Sequence, residues 1–281
     1  MNAMTHRLTC GSKELVCDST KIMGILNVTP DSFSDGGMFR SVDAAVAYAE
    51  QMALDGADII DIGGESTRPG SEPICLEEEL RRVVPVVEEL VKRISVPISI
   101  DTTKPEVAEE CLRLGATMIN DVSGLGDADM RKVAAKYNVP VVIMHMQGTP
   151  LTMQANPHYK NVINEIIEHL ALRAAIARRE GIEQIIIDPG IGFGKGLDDN
   201  LQIIHNLSRF QASYPIMVGP SRKGFIGTIT QRRVEERLYG TIAAVTACVL
   251  NGAHIVRVHD VKECKDAVLV ADAIKNGRYG S

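Results

Sequence analysis

GADIIDIGG, Gly56–Gly64, is the stretch whose reading decides the fold. Gly56 closes a helical pattern, where a residue tolerant of positive φ ends a helix well. Asp58–Ile62 then reads as a strand. Its apolar residues are nearly continuous, as in a parallel sheet covered on both faces. The same junction recurs at Gly115-Ala116 and Gly252-Ala253. Val96-Pro97, Val139-Pro140 and Tyr214-Pro215 open three further strands, proline being tolerated at a strand's first residue. Adding the runs at the start and in the middle of the chain gives strands near Ile22–Val28, Asp58–Ile62, Ile98–Asp101, Thr117–Asp121, Val141–His145, Ile185–Asp188, Ile216–Gly219 and His254–His259. Amphipathic helical patterns separate them. Ser41 is positioned to cap one whose apolar face holds Val42, Ala45, Val46, Ala49 and Met52, and Lys104-Pro105 starts another. Leu76–Ile94 has helical period, but Pro85 is expected to kink or break it.

Eight evenly spaced β-then-α units with right-handed crossovers form either an open doubly wound sheet or a closed barrel. The even spacing favours the (β/α)₈ (TIM) barrel, α/β in class. No linker or low-complexity tract divides the chain, so residues 1–281 are expected to make a single domain with a short lead-in, 1–20. About 150 residues per domain would allow two domains, but barrels of this type exceed 200 residues as one.

Composition narrows the function. Of 281 residues, 45% are hydrophobic and the net charge is −6. The isoelectric point is near 5.7 and the mean hydropathy +0.02. An acidic chain with 4% aromatics and no Trp is a poor general binder of nucleic acid. No apolar run approaches the roughly 18 residues of a membrane helix, and Met1–Ser12 lacks the apolar core of a secretory signal. The six cysteines form no C-x-x-C pair. A cytoplasmic protein with no nucleic-acid or membrane partner is expected.

In such a barrel the active site lies at the C-terminal strand ends. These carry Asn27, Asp61, Asp101, Asn120, His145, Asp188, the Gly219–Lys223 turn, and Arg257 with His259. Any one of them could simply cap the next helix; the whole set is harder to explain that way. Asp101, Asn120 and Asp188 offer acceptors suited to a heterocycle with several N–H donors. Arg222, Lys223, Arg257 and His259 offer cations after strands seven and eight, the usual phosphate position of this fold. The loops Thr29–Gly37 and Gly63–Gly70 are long and rich in Gly, Pro and hydroxyls, and read as lids with Phe33, Asp35, Thr67 and Arg68 as contacts. Gly190-Ile-Gly-Phe-Gly-Lys195 lacks the spacing of a phosphate loop, and Ser221 lacks a nucleophile elbow.

These segments resemble the dihydropteroate synthases of the pterin-binding barrel family. The resemblance is carried by IMGILNVTPDSFSDGG (Ile22–Gly37), GADIIDIGGESTRPG (Gly56–Gly70), ISIDT (Ile98–Thr102), MINDVSG (Met118–Gly124), IIIDPGIGFGK (Ile185–Lys195), GPSRKGFIG (Gly219–Gly227) and RVHDV (Arg257–Val261), and runs from Ile22 to Ala273. It implies condensation of a dihydropterin-CH₂-diphosphate with p-aminobenzoate. It further implies Asp101, Asn120, Asp188 and Lys223 around the pterin, with Met144, Phe193 and Gly219 lining that pocket. Arg257, His259, Ser221 and Thr67 would sit at the diphosphate, with Asn27 near a Mg²⁺ ion. Phe33, Asp35, Arg68 and Pro69 would lie in the loops around p-aminobenzoate. Asp101, Lys223, Arg257 and His259 are the implied catalytic set, and a homodimer the implied assembly. Where many members carry Ser, this chain has Gly224, which leaves backbone N–H groups for the p-aminobenzoate carboxylate. A corrinoid methyltransferase barrel would share the Asp/Asn pocket but not need the diphosphate cations or the TPDSFSDGG loop; a non-catalytic pterin-binding barrel is opposed by the intact Asn27, Lys223, Arg257 and His259.

Overall fold

The computed structural model describes residues 5–28, 42–68, 70–210 and 213–278. All eight expected strands are present: β3 (Lys21–Asn27), β4 (Ile59–Gly63), β5 (Ile98–Asp101), β6 (Met118–Asp121), β7 (Val141–Met144), β8 (Ile185–Asp188), β9 (Met217–Val218) and β10 (Ile255–Val258). They are parallel and lie in the order β8-β7-β6-β5-β4-β3-β10-β9. A parallel bridge from Ile187 to Ile216 joins the two edges and brings the sheet round into a barrel. Between them run α1 (Val42–Leu54), α2 (Leu76–Arg93), α3 (Pro105–Leu114), α4 (Ala128–Tyr137), α5 (Val162–Arg179), α6 (Leu197–His205), α7 (Gly224–Thr230), α8 (Leu238–Leu250) and α9 (Val261–Asn276). The junctions form as the sequence requires. Gly115 ends α3 with φ 117°, a left-handed conformation that an L side chain resists. Pro105 sits in the first turn of α3.

One expectation is corrected. Pro85 lies inside α2, yet the helix runs on unbroken to Arg93. Its missing N–H costs one backbone bond, but Val83, Val86, Val87 and Leu90 are all fully buried against the barrel, and that apolar stripe outweighs the local defect. The lead-in is not featureless. His6–Cys10 (β1) and Lys13–Cys17 (β2) pair antiparallel about Gly11-Ser12. Leu8, Cys10 and Leu15 cluster with Met23, Ile59, Met118, Val142, Ile186, Met217 and Ile255. The hairpin thus plugs the N-terminal mouth of the barrel. Its signal was apolar residues at every second position, Leu8 and Cys10 then Leu15 and Cys17, on either side of a two-residue Gly-Ser turn. Ser41 lies outside the described residues.

Candidate active site

The plug residues define the inward face of every strand, because side chains alternate across a sheet with period two. Stepping up by two from Met23, Ile59, Met118, Val142, Ile186, Met217 and Ile255 reaches Ile25, Asp61, Asn120, Met144, Asp188, Gly219 and Arg257. Ser99 and Asp101 make the same step on β5, and Asp101 is aligned with Asn120 across the sheet. One layer of the barrel is therefore apolar, and the layer above it carries the polar chemistry. A further step reaches Asn27, Ser221 and His259 at the rim.

A cleft of about 750 Å³ opens over these layers. It is lined by Asn27, Thr67, Arg68, Asp101, Asn120, Met144, Asp188, Phe193, Gly219, Ser221, Lys223, Arg257 and His259. Of the strand-end and loop candidates named from sequence, Asp61 and His145 lie behind this lining, and Phe33, Asp35 and Pro69 lie outside the described residues.

At its floor Arg257 reaches two carboxylates: Nε to Asp61 Oδ2 and Nη2 to Asp101 Oδ2, both at 2.6 Å. Asn120 Nδ2 donates to the same Asp61 oxygen at 2.9 Å. Asp101 Oδ1 and Asp61 Oδ1 are buried and accept no hydrogen bond from a described residue. A buried acceptor left open carries a desolvation cost that a donor-bearing ligand can relieve. Burial raises the Asp101 carboxyl above its usual range, with Arg257 opposing and Asp61 and Glu79 adding to the rise. Burial likewise pushes Asp188 up to about 6, against the Gly190 N–H and Lys223. Asp188 Oδ1 accepts from Gly190 N at 2.7 Å.

At the cationic end, Lys223 Nζ lies 3.9 Å from the centre of the Phe193 ring, within cation–π range. Burial and then Arg257 lower its ammonium to about 8. His259 is not the cation expected from sequence. Burial, then Arg222, Arg257, Arg68 and Lys223, push it down to about 3, so it is a neutral ring at pH 7. Its Nδ1 lies 2.9 Å from Ser221 Oγ, which fixes the ring's orientation. Arg222 also differs from a free anion ligand: its guanidinium grips Asp260, Nη2 to Oδ1 at 2.6 Å. Arg257 is likewise paired, with Asp61 and Asp101, so the net positive charge at this end comes chiefly from Lys223 and Arg68.

A family model described as pterin binding enzyme matches residues 23–259. The chain is 46% identical over 265 residues to the dihydropteroate synthase of Escherichia coli (strain K12), covering 92% of this chain and 94% of that one. It is also 46% identical over 260 residues to that of Synechocystis sp., covering 91% and 90%. The chain belongs to the dihydropteroate synthase family. Among solved structures, the Yersinia pestis dihydropteroate synthase in a sulfonamide drug complex superposes with a TM-score of 0.93 at 41% identity, covering 96% of this chain and 100% of that one. The Xanthomonas albilineans dihydropteroate synthase with 4-aminobenzoic acid gives 0.91 at 44% identity, covering 97% and 99%. The same organism's dihydropteroate synthase in complex with 7,8-dihydropteroate gives 0.87 at 42%, covering 96% and 99%.

Seen as a dihydropteroate synthase pocket, the barrel contains one residue that sequence reading noted but gave no role. Asp61 is fully buried and takes both Arg257 and Asn120 on one oxygen. The two-residue step from Ile59 could have found it. The described residues contain no group of three or more His, Cys, Asp or Glu able to hold a metal. Asn27 brings one amide oxygen, whereas Mg²⁺ held by a protein usually takes one or two carboxylates. This donor set does not make a magnesium site by itself.

Proposed function

We propose that the chain condenses (7,8-dihydropterin-6-yl)methyl diphosphate with p-aminobenzoate, giving 7,8-dihydropteroate and diphosphate in folate biosynthesis. The observation that carries this is the split floor of the cleft: open acceptors on Asp101, with Asn120 and Asp188, beside Lys223 and Arg257. In this reading Asp101, Asn120 and Asp188 take the pterin N–H groups, and Met144, Phe193 and Gly219 flank the ring. Lys223, Arg257, Arg68 and Thr67 face the diphosphate, with Ser221 and neutral His259 as hydrogen-bond partners.

The methylene C–O bond breaks first, and its electron pair leaves on the diphosphate. Cations aimed at that oxygen stabilise the charge as it develops. The carboxylates below the ring stabilise the pterin cation. The p-aminobenzoate nitrogen then forms the C–N bond and loses a proton. Water would trap the same cation, so the loop that brings Thr67 and Arg68 to the cleft serves to exclude it. No protein nucleophile is required, in keeping with the missing elbow at Ser221. The catalyst works as one domain, in the cytoplasm and as a homodimer in this reading. Its six cysteines are all free thiols, and Val270 and Ile274, one turn apart on α9, are exposed apolar groups.

Purified protein in magnesium buffer should release diphosphate only when both substrates are present, with 7,8-dihydropteroate formed in equal amount. Diphosphate release without that product, or no release, rejects the reading.

Gly224 opens α7 on the border of the cleft. A Cβ built there meets nothing within 4 Å, so Gly224→Ser should fold as well as the parent. A new hydroxyl within reach of the p-aminobenzoate carboxylate is worth about 1.5 kcal/mol. KM for p-aminobenzoate should then fall about tenfold, with the melting temperature unmoved. An unchanged KM means the carboxylate is held elsewhere.

A further inference from the structure

The glycine-rich run Gly190–Lys195 binds no phosphate by its spacing, and the reaction above gives its lysine no task. Lys195 is nonetheless 3% exposed and makes no ion pair with a described residue. All three of its ammonium protons have protein partners: His145 Nδ1 at 3.0 Å, His145 O at 3.1 Å and Phe193 O at 2.8 Å. It borders the cleft, but its charge is turned into the protein.

The partners lie on two different segments. His145 follows β7, and Phe193 lies in the loop after β8. The loop rests directly on the backbone beyond β7. A Cβ at Gly190, φ 72°, would overlap the His145 carbonyl oxygen, and one at Gly194, φ 61°, would overlap the Gln147 backbone. The seam is reinforced by two residues of the segment after β7: the Tyr159 hydroxyl donates to Gly194 O at 2.6 Å, and Gln154 Nε2 donates to Gly192 O at 3.0 Å. The other side of the loop carries the catalytic lysine: a Cβ at Gly192 would lie 2.9 Å from Lys223 Cδ, and the Phe193 ring sits beside Lys223 Nζ.

We propose that Lys195 is a positioning residue for the pterin site, its ammonium pinning the 190–195 loop to the end of β7 so that Phe193 and Gly192 hold Lys223 in place. An ammonium suits the task because three acceptors converge on one point, and only a compact group with three donors satisfies them together. Burial lowers this ammonium to about 7, and the nearby Asp188 carboxylate opposes that shift and favours the charged form. A methionine there would fill the space but leave the His145 and Phe193 carbonyls without partners, and the loop free to lift from the strand.

This inference rests on the proposed reaction, and the two fail differently: an inactive wild-type chain rejects the reaction, whereas the following results concern Lys195 alone. Lys195→Met is expected to raise KM for the dihydropterin diphosphate about tenfold or more. Its calorimetric Kd for that substrate alone should rise in parallel, and KM for p-aminobenzoate should stay within about threefold. Combined with Phe193→Leu, it should cost no more than the worse single variant, because both act through one ring. Equal rises in both KM values, no rise in either, or losses that add in the double variant overturn the proposal. If Lys195→Met is not recovered folded, Lys195→Gln, which keeps a donor for the Phe193 carbonyl, is tested for the same pattern. Failure of that chain to fold as well assigns Lys195 to stability alone and equally overturns it.

Discussion

Asp101→Ala is expected to weaken binding of the dihydropterin diphosphate by about 100-fold or more while the barrel stays folded. The residue's Oδ2 holds Arg257 at 2.6 Å, and its Oδ1 is a buried acceptor with no donor among the described residues. A pterin N–H that reaches Oδ1 gains a charge-assisted bond and removes an existing penalty, each worth about 1.5–3 kcal/mol. Truncation forfeits both. Arg257 keeps Asp61 but is left half-paired, so the melting temperature should also drop by several degrees, and the binding loss is read on the chain that remains folded. Calorimetry with the pterin substrate alone, beside a thermal melt, separates the two effects. Affinity within threefold of the parent would remove Asp101 from the pterin site.

The same pocket sets a pH dependence. Burial raises Asp188 to about 6 and lifts Asp101 as well. A carboxyl above its ordinary range is already gaining a proton near neutrality. Charge on these acceptors is therefore fully present only above about 7, is lost first from Asp101 and then from Asp188 as the pH falls through about 7 and 6, and pterin affinity of the parent should fall in that direction. Asp101→Ala should retain only the Asp188 part of this response.

Asp61→Ala carries the second large effect, and chiefly on stability. Asp61 is fully buried, and one of its oxygens accepts from Arg257 at 2.6 Å and Asn120 at 2.9 Å. Removing it leaves a largely buried guanidinium half-paired and an amide N–H open. Breaking a buried pair from one side costs about 3–5 kcal/mol. At roughly 2–4 °C per kcal/mol for a chain of this size class, the melting temperature should drop by about 10 °C. The two ligands it orients also lose their aim, so kcat/KM should fall by about 100-fold. A melting temperature within 2 °C of the parent would show that Asp61 does not hold the floor together.

Much of this site can be read along the chain because a barrel strand ends where the chemistry begins. Asp101, Asn120, Asp188 and Arg257 each close or nearly close an apolar run, and a polar residue in such a place has few other reasons to be there. His259 and Arg222 were legible as residues but not as charges. Whether an imidazole is protonated depends on which cations fold around it, and whether a guanidinium is available depends on whether an Asp260 lies across from it. Lys195 was legible only as part of a failed phosphate loop, because its partners at His145 are fifty positions away.

The sequence by itself determined the order of strands and helices, the closed sheet and the family. Those follow from local periodicity, from glycine and proline at the junctions, and from motifs read in a row. The tertiary structure alone decided that Pro85 stays inside a helix, that the first residues plug the barrel, and that Asp61 gathers Arg257 and Asn120. It also decided that His259 is neutral. Each of these turns on burial and on contacts between distant segments, and desolvation and pairing energies exist only once the chain has closed on itself.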